Sequence, residues 1–255
     1  MSLNQLNFDG KNKVEMAIMR LRQFCPPEGY YLAFSGGKDS TVLYDLAVKS
    51  GVKFDAHYQR TGIDPPELVY FIRDNYPNVI WEKPEITMWE GIYTHGLPSR
   101  LSRWCCEKLK ETGGSGRTVI TGVRWSESPR RKTWKMYSVC HSDITKRFLH
   151  PVIDFTTKDV WDYIHQNNLP YCSLYDFGFK RLGCVLCPME TAKQKIIEAN
   201  RYPRLAEAWR KSAFRYWEKG TKGARKYSSP QAFWDWYMRC KGEPKGKDAQ
   251  CTMFG

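Results

Sequence analysis

The chain has 255 residues, 42% of them hydrophobic, and no apolar run approaching a membrane span, which argues against a membrane-embedded class. A formal charge of +13 and a pI of about 9.3 favour an anionic partner: a nucleotide, tRNA, DNA or an acidic protein. Nine cysteines, an odd number, behind a polar first ten residues with no export signal argue against a disulfide framework and set the expected location as cytoplasmic.

In chain order, Val14, Ala17, Ile18, Leu21 and Phe24 recur at helical spacing and predict an amphipathic helix over 13–24, ended by Cys25-Pro26-Pro27. Residues 30–34 predict a buried strand and 41–48 a helix. Further strands are expected at 53–58, 78–82 and 118–123. Helices are expected at 67–75, opened by Pro65-Pro66, and at 104–110. Strands alternating with helices predict an α/β fold: a doubly wound, mostly parallel sheet that binds ligands at the carboxyl ends of its strands. Thr156 or Thr157 caps a helix running to about Gln166. Residues 188–255 carry fifteen Lys and Arg against seven Asp and Glu, interleaved with aromatics, and predict helices at 204–219 and 231–239. The expected division is a nucleotide- and metal-binding domain over 1–187 and a basic helical extension over 188–255.

Between the first strand and its helix stands Ser35-Gly36-Gly37-Lys38-Asp39-Ser40. Glycines let backbone N–H groups approach an anion, the helix N-terminus adds partial positive charge, and Lys38 adds a full one. The spacing is not that of a Walker A loop. It resembles the SGGxDS pyrophosphate loop of ATP pyrophosphatases, the adenine-nucleotide α-hydrolase superfamily. That resemblance implies ATP with Mg2+, Lys38 on the departing pyrophosphate, and Asp39 either on the metal or at the helix cap.

The adjacent pair Cys105-Cys106 and the pair Cys184-x-x-Cys187 can supply four thiolates to one metal centre. Adjacent ligands suit an iron–sulfur cube better than structural zinc, which stays as the rival. Cys25, Cys140, Cys172 and Cys240 have no such partners and are expected to be buried thiols.

Taken together, these motifs resemble the phosphoadenosine phosphosulfate (PAPS) reductase family over roughly residues 30–188. The Cys105, Cys106, Cys184, Cys187 set is similar to the one that holds a [4Fe–4S] cluster in assimilatory adenylyl-sulfate (APS) reductases, and Lys110 holds the place of a lysine near that cluster. Ile120-Thr-Gly-Val-Arg-Trp-Ser-Glu-Ser-Pro-Arg-Arg131 looks like the family's TGxRxxxSxxR segment. It implies Gly122, Arg124 and Arg130 or Arg131 in nucleotide binding. Thr61-Gly62 with Pro66-Glu67 matches the family's TG…PE turn, and residues 150–164 match its P-x-x-x-W-T-x-x-D-V-W-x-Y-I block with Phe155 for the first Trp. Two features depart from the reductases. The phosphate loop is intact rather than degenerate, and the tail carries Cys251 without the Glu, Gly and His of the reductases' Glu-Cys-Gly-x-His motif.

Three functions follow as expectations. The first is adenylation of a tRNA or DNA acceptor followed by sulfur transfer, served by a cysteine desulfurase. The second is reduction of APS or PAPS with Cys251 as nucleophile and thioredoxin as thiol donor. The third is a non-enzymatic nucleotide-binding metal protein.

Overall fold

A computed structural model describes residues 3–6 and 10–239 of the chain. In chain order the elements are α1 (Lys13–Gln23), β1 (Tyr30–Ala33), α2 (Lys38–Ser50), β2 (Phe54–Gln59), α3 (Pro66–Asn75), β3 (Ile80–Glu82), α4 (Met88–His95), α5 (Trp104–Leu109), β4 (Thr118–Ile120), β5 (Tyr137–Val139), β6 (Arg147–Leu149), α6 (Thr157–Gln166), α7 (Ala192–Arg201), α8 (Pro203–Glu218), α9 (Lys222–Arg225) and α10 (Pro230–Arg239). They form two compact units. One comprises residues up to Gln59, Pro66–Glu82 and Gly113–Leu182. The other comprises Arg60–Pro65, Lys83–Thr112 and the chain from Gly183 onward.

The first unit carries a six-stranded sheet in the order β3-β2-β1-β4-β6-β5. Every pairing is parallel except the edge pair β5–β6. The strands run outward from β1 through β2 to β3, and then restart beside β1 on its other flank with β4. The strand order therefore reverses between β1 and β4, where the carboxyl ends of such sheets leave a ligand crevice. The core is built from Tyr30, Leu32 and Phe34 of the β1 segment. It is covered by Leu43, Leu46 and Ala47 of α2, Leu68 and Ile72 of α3, and Val160, Tyr163 and Ile164 of α6. Helix α1 joins this core through Ala17 and Leu21, and its capping box pairs Asn12 with Glu15. The α/β class and mostly parallel sheet match expectation.

The second unit is helical. Its core gathers Met88 and Ile92 of α4, Trp104 and Leu109 of α5, Trp209 and Ala213 of α8, and Phe233, Trp234 and Tyr237 of α10. Trp209 is fully buried, stacked on Tyr237 at 5.3 Å between ring centroids and edge-on to Trp89 at 6.1 Å. A Cβ on Gly91 would lie 2.2 Å from the Trp104 ring, so glycine there lets α4 and the Trp104 indole close together. This corrects the expected division after Cys187. Among the described residues, most aromatic side chains of the C-terminal segment belong to this core or pack against it, and the structure that they complete includes α4, α5 and residues 60–65. No helix among the described residues is long and apolar enough to cross a membrane.

Candidate nucleotide and cysteine sites

In the first unit the expected phosphate loop lies at the switch point. Helix α2 begins at Lys38, three residues earlier than its apolar pattern suggests, with Gly37 as its N-cap and no side-chain cap. The head of α2 thus keeps orphan N–H groups available to an anion. Gly36 has φ +68, and a Cβ there would lie 2.7 Å from Ile72 Cγ1. Only glycine fits this turn against α3. The Ser40 hydroxyl donates to the Gly37 carbonyl at 2.9 Å and lies 3.1 Å from the Ser35 hydroxyl, closing the loop on itself.

Lys38 is 6% exposed, and its ammonium lies 3.1 Å from Asp39 Oδ2. Arg124, 2% exposed, places Nε 2.7 Å from Asp39 Oδ1, an ion pair whose alignment is not that of a hydrogen bond. The same guanidinium donates to Ser126 Oγ at 2.8 Å and to the Phe155 carbonyl at 3.4 Å. Both Asp39 oxygens therefore face cations. Asp39 organises Lys38 and Arg124, and would act on Mg2+ only if one of them gave way. Gly122 follows β4, and a Cβ there would lie 2.9 Å from the Asp39 backbone. Ser35 to Ser40, Gly122 and Arg124 thus come together. Arg130 is exposed, while Arg131 pairs with Glu127 and lies over the Trp134 ring at 5.6 Å.

Sequence reasoning missed Tyr175. Its hydroxyl accepts the Lys38 N–H at 2.9 Å, and the Lys38 ammonium sits 5.6 Å from its ring. Burial pushes its hydroxyl above the usual tyrosine range, against the lowering effect of the Lys38 N–H.

The second unit holds all four candidate ligands. The Cys105 thiol lies close enough to feel Cys106, Cys184 and Cys187 electrostatically. Its hydrogen bond to Cys106 raises the Cys105 thiol, with burial adding to the effect. The Cys106 thiol is lowered to about 5 by that bond and by Arg103, whose guanidinium donates to the Cys106 sulfur at 3.2 Å. Burial pushes Cys184 up to about 11, opposed by Lys110. Burial works to lower Lys110, but Cys184 and Asp64 outweigh it, so its ammonium is held above the usual lysine range. Among the described residues, no three His, Cys, Asp or Glu side chains converge on one point as a single bound ion requires.

Thr61 belongs to this unit. Its hydroxyl donates to Asp64 Oδ2 at 2.7 Å and accepts from the Cys184 thiol at 3.7 Å. Asp64, 4% exposed at its side chain, lies 4.0 Å from the Lys110 ammonium. Gly62 sits beside Thr61 at φ +78, with open space where a Cβ would go. Thr61, expected from sequence at the nucleotide, thus contacts Cys184 and Asp64. Sequence could have suggested Asp64 from its Thr-x-x-Asp spacing, the pattern of a side-chain turn. Cys25 and Cys140 are half-buried and Cys172 is buried. Cys240 and Cys251 lie outside the described residues.

The chain is similar to two uncharacterized proteins of Methanocaldococcus jannaschii, at 31% and 30% identity over 75% of its length. It spans only 43% and 50% of those relatives. An adenosine 5'-phosphosulfate reductase of Oceanobacillus iheyensis is 32% identical over 67% of this chain and 75% of its own. Among solved structures, PAPS reductase from Candida auris, in its phosphate complex, superposes with a TM-score of 0.52 at 19% identity, over 72% of this chain and 98% of that one. FMN adenylyltransferase of Candida glabrata, in complex with FAD and inorganic pyrophosphate, gives 0.50 at 18% identity, over 68% and 62%. These likenesses concern the fold. The model of the phosphoadenosine phosphosulfate reductase domain matches residues 29–190, more than half of the chain. With the switch-point loop and the four cysteines falling inside that span, the chain belongs to the PAPS reductase family.

Proposed function

We propose that this chain is an ATP-using sulfur-transfer enzyme of the PAPS reductase family that carries a [4Fe–4S] cluster. The observation that carries the reading is the complete Ser35–Ser40 loop at the head of α2, with buried Lys38 and with the Asp39 and Ser40 N–H groups uncapped. Those groups would bind the β- and γ-phosphates of ATP, with Mg2+ brought in on the nucleotide. An oxygen of the acceptor attacks the α-phosphorus, the bond to the bridging oxygen breaks, and pyrophosphate leaves with its negative charge stabilised by Lys38 and the loop amides. The terminal sulfur of a persulfide formed by a cysteine desulfurase then displaces AMP from the acceptor, and a thiol reductant cleaves the resulting disulfide, freeing the thiolated acceptor as the thiol is oxidised. The basic C-terminal segment supports tRNA or DNA as that acceptor.

What supports a cluster is the donor set: the Cys105 thiol feels Cys106, Cys184 and Cys187, with Arg103 beside Cys106 and Lys110 beside Cys184. Cys105, Cys106, Cys184 and Cys187 would hold it, and it would supply a site to hold or relay sulfur. Zinc, the rival occupant on sequence grounds, would need these thiols to converge on one point, which they do not do among the described residues.

A second reading is favoured by the adenosine 5'-phosphosulfate reductases among its relatives. There Cys251 would attack the sulfonucleotide sulfur, AMP or its 3′-phosphate would leave, and a thiol donor such as thioredoxin would release sulfite as it becomes a disulfide.

Anaerobically prepared protein, offered Mg2+ and ATP and each sulfonucleotide in separate reactions, distinguishes the two. Pyrophosphate and AMP from ATP is the expected result. Sulfite from a sulfonucleotide with ATP left intact would transfer the chain to the second reading. Neither product would leave a nucleotide-binding metal protein.

A further inference from the structure

The turn between Cys184 and Cys187 contains a residue in an unfavourable backbone conformation. Leu186 has φ +59, in the left-handed region, and its side chain is fully buried. Glycine enters this region freely, whereas a residue with a Cβ is strained there. Such a conformation persists only where the surroundings over-determine it.

Here both backbone polar groups of Leu186 are taken by buried side chains from distant helices. Its N–H donates to Glu198 Oε2 of α7 at 2.7 Å, and its carbonyl accepts from the Tyr237 hydroxyl of α10 at 2.6 Å. The two side chains are themselves held. Glu198 Oε1 accepts from Gln194 at 3.2 Å, and the Lys195 ammonium donates to the Tyr237 carbonyl at 2.8 Å while lying 4.0 Å from its ring. Burying a carboxylate is costly unless it is well bonded, and the strongest bond that Glu198 makes is to this turn. Glu198 and Tyr237 both lie beyond residues 29–190, the span matched by the family model.

We propose that Glu198 and Tyr237 are positioning residues for the Cys184-Val185-Leu186-Cys187 turn. They hold Leu186 left-handed, which brings the Cys184 and Cys187 thiols within reach of Cys105. This rests on the cluster reading above. The C-terminal helices thereby act on the metal-binding thiols through the backbone between them, doing the work that a glycine does in a turn that needs no support.

The test uses the full chain as Glu198→Ala, Glu198→Gln and Tyr237→Phe beside wild type. Metal-free protein is followed by amide exchange over residues 183–188. Protein reconstituted with ferrous iron and sulfide is followed by visible absorption and chelator competition. In E198A and Y237F, exchange is expected to quicken about tenfold, as loss of a buried hydrogen bond implies. Iron affinity is expected to fall about tenfold or more, the usual scale for removing a group that orients a ligand. E198Q keeps an oxygen acceptor for the Leu186 N–H and should retain both properties. Unchanged exchange in Y237F and E198A overturns the proposal, as does E198Q behaving like E198A in a folded chain. Wild type that takes up no iron, with exchange still quickened in the variants, overturns the cluster reading and leaves the clamp on the turn standing.

Discussion

Single residues carry the chemistry of the phosphate loop. Gly36 combines φ +68 with no room for a Cβ against Ile72. Gly36→Ala is expected to destabilise the first unit by about 1–3 kcal/mol, the range for a strained backbone position, and to weaken ATP binding with it; denaturant unfolding and nucleotide titration check both. Lys38→Ala removes the buried cation without disturbing the turn. ATP affinity should fall about tenfold or more, the value of a charge-assisted hydrogen bond, while iron content stays at the wild-type level. Equal ATP affinity would mean that the loop does not bind the nucleotide. Burial, reinforced by the Arg131 charge, lowers His150 to about 4, and its Nδ1 lies 2.8 Å from the Thr121 hydroxyl. The sign follows from proton uptake. Between the ordinary value of 6.5 and about 4, the unfolded chain binds a proton at this site and the folded chain does not. Stability therefore falls as pH drops through that window, by about 3 kcal/mol at most, and levels off below it. Unfolding of His150→Gln at the two ends of the window should show a shallower loss than wild type.

At the scale of elements, α1 and α6 are joined by a buried ion pair. The Lys13 ammonium lies 2.5 Å from Asp159 Oδ2, with both side chains under a tenth exposed. Asp159 also accepts the Thr156 N–H at 2.8 Å in the α6 capping box, so its charge is held both by the partner helix and by its own N-terminus. Lys13→Met should cost about 3 kcal/mol, because a buried carboxylate loses its countercharge. Lys13→Met/Asp159→Asn should recover part of that loss, and a double-mutant cycle from denaturation curves reads the coupling. Helices α1, α3, α6, α8 and α10 were found from sequence because each repeats apolar residues over ten positions or more. Strands β5 and β6 were missed: they carry Ser138 and Arg147 where β4 is an unbroken run of β-type residues. Helix α4 announces itself instead by its start: Thr87 and Glu90 form a capping box, a signal overlooked beside the weak periodicity of eight residues. The strand at β4 ends at Ile120 rather than 123, because Gly122 must turn against the Asp39 backbone.

Over the whole molecule, the parallel sheet was legible because strands and helices alternate along the chain, and the family because its motifs are local. The second unit was not legible. Its core joins residues 60–65, the segment from Lys83 to Thr112 and the C-terminal helices, and nothing local in Trp209 or Tyr237 says that they complete a structure begun by Met88 and Trp104. The basic composition of the C-terminal segment suggested an appendage, because charge is read from the exposed face and packing from the buried one. Two truncations separate these roles. A chain ending at residue 187 loses Trp209, Phe233, Trp234 and Tyr237, each worth about 3–5 kcal/mol as a buried aromatic. The unit that holds the cysteines should then fail to fold, and the protein should retain no iron after reconstitution. A chain ending at residue 239 keeps every described core residue of that unit and removes Cys251. It should bind iron as wild type does and still release AMP and pyrophosphate from ATP, since neither the loop nor the four cysteines is touched. If sulfite production from a sulfonucleotide is instead the wild-type activity, and this truncation and Cys251→Ser both abolish it with iron intact, then Cys251 is the nucleophile and the intact phosphate loop serves a reductase.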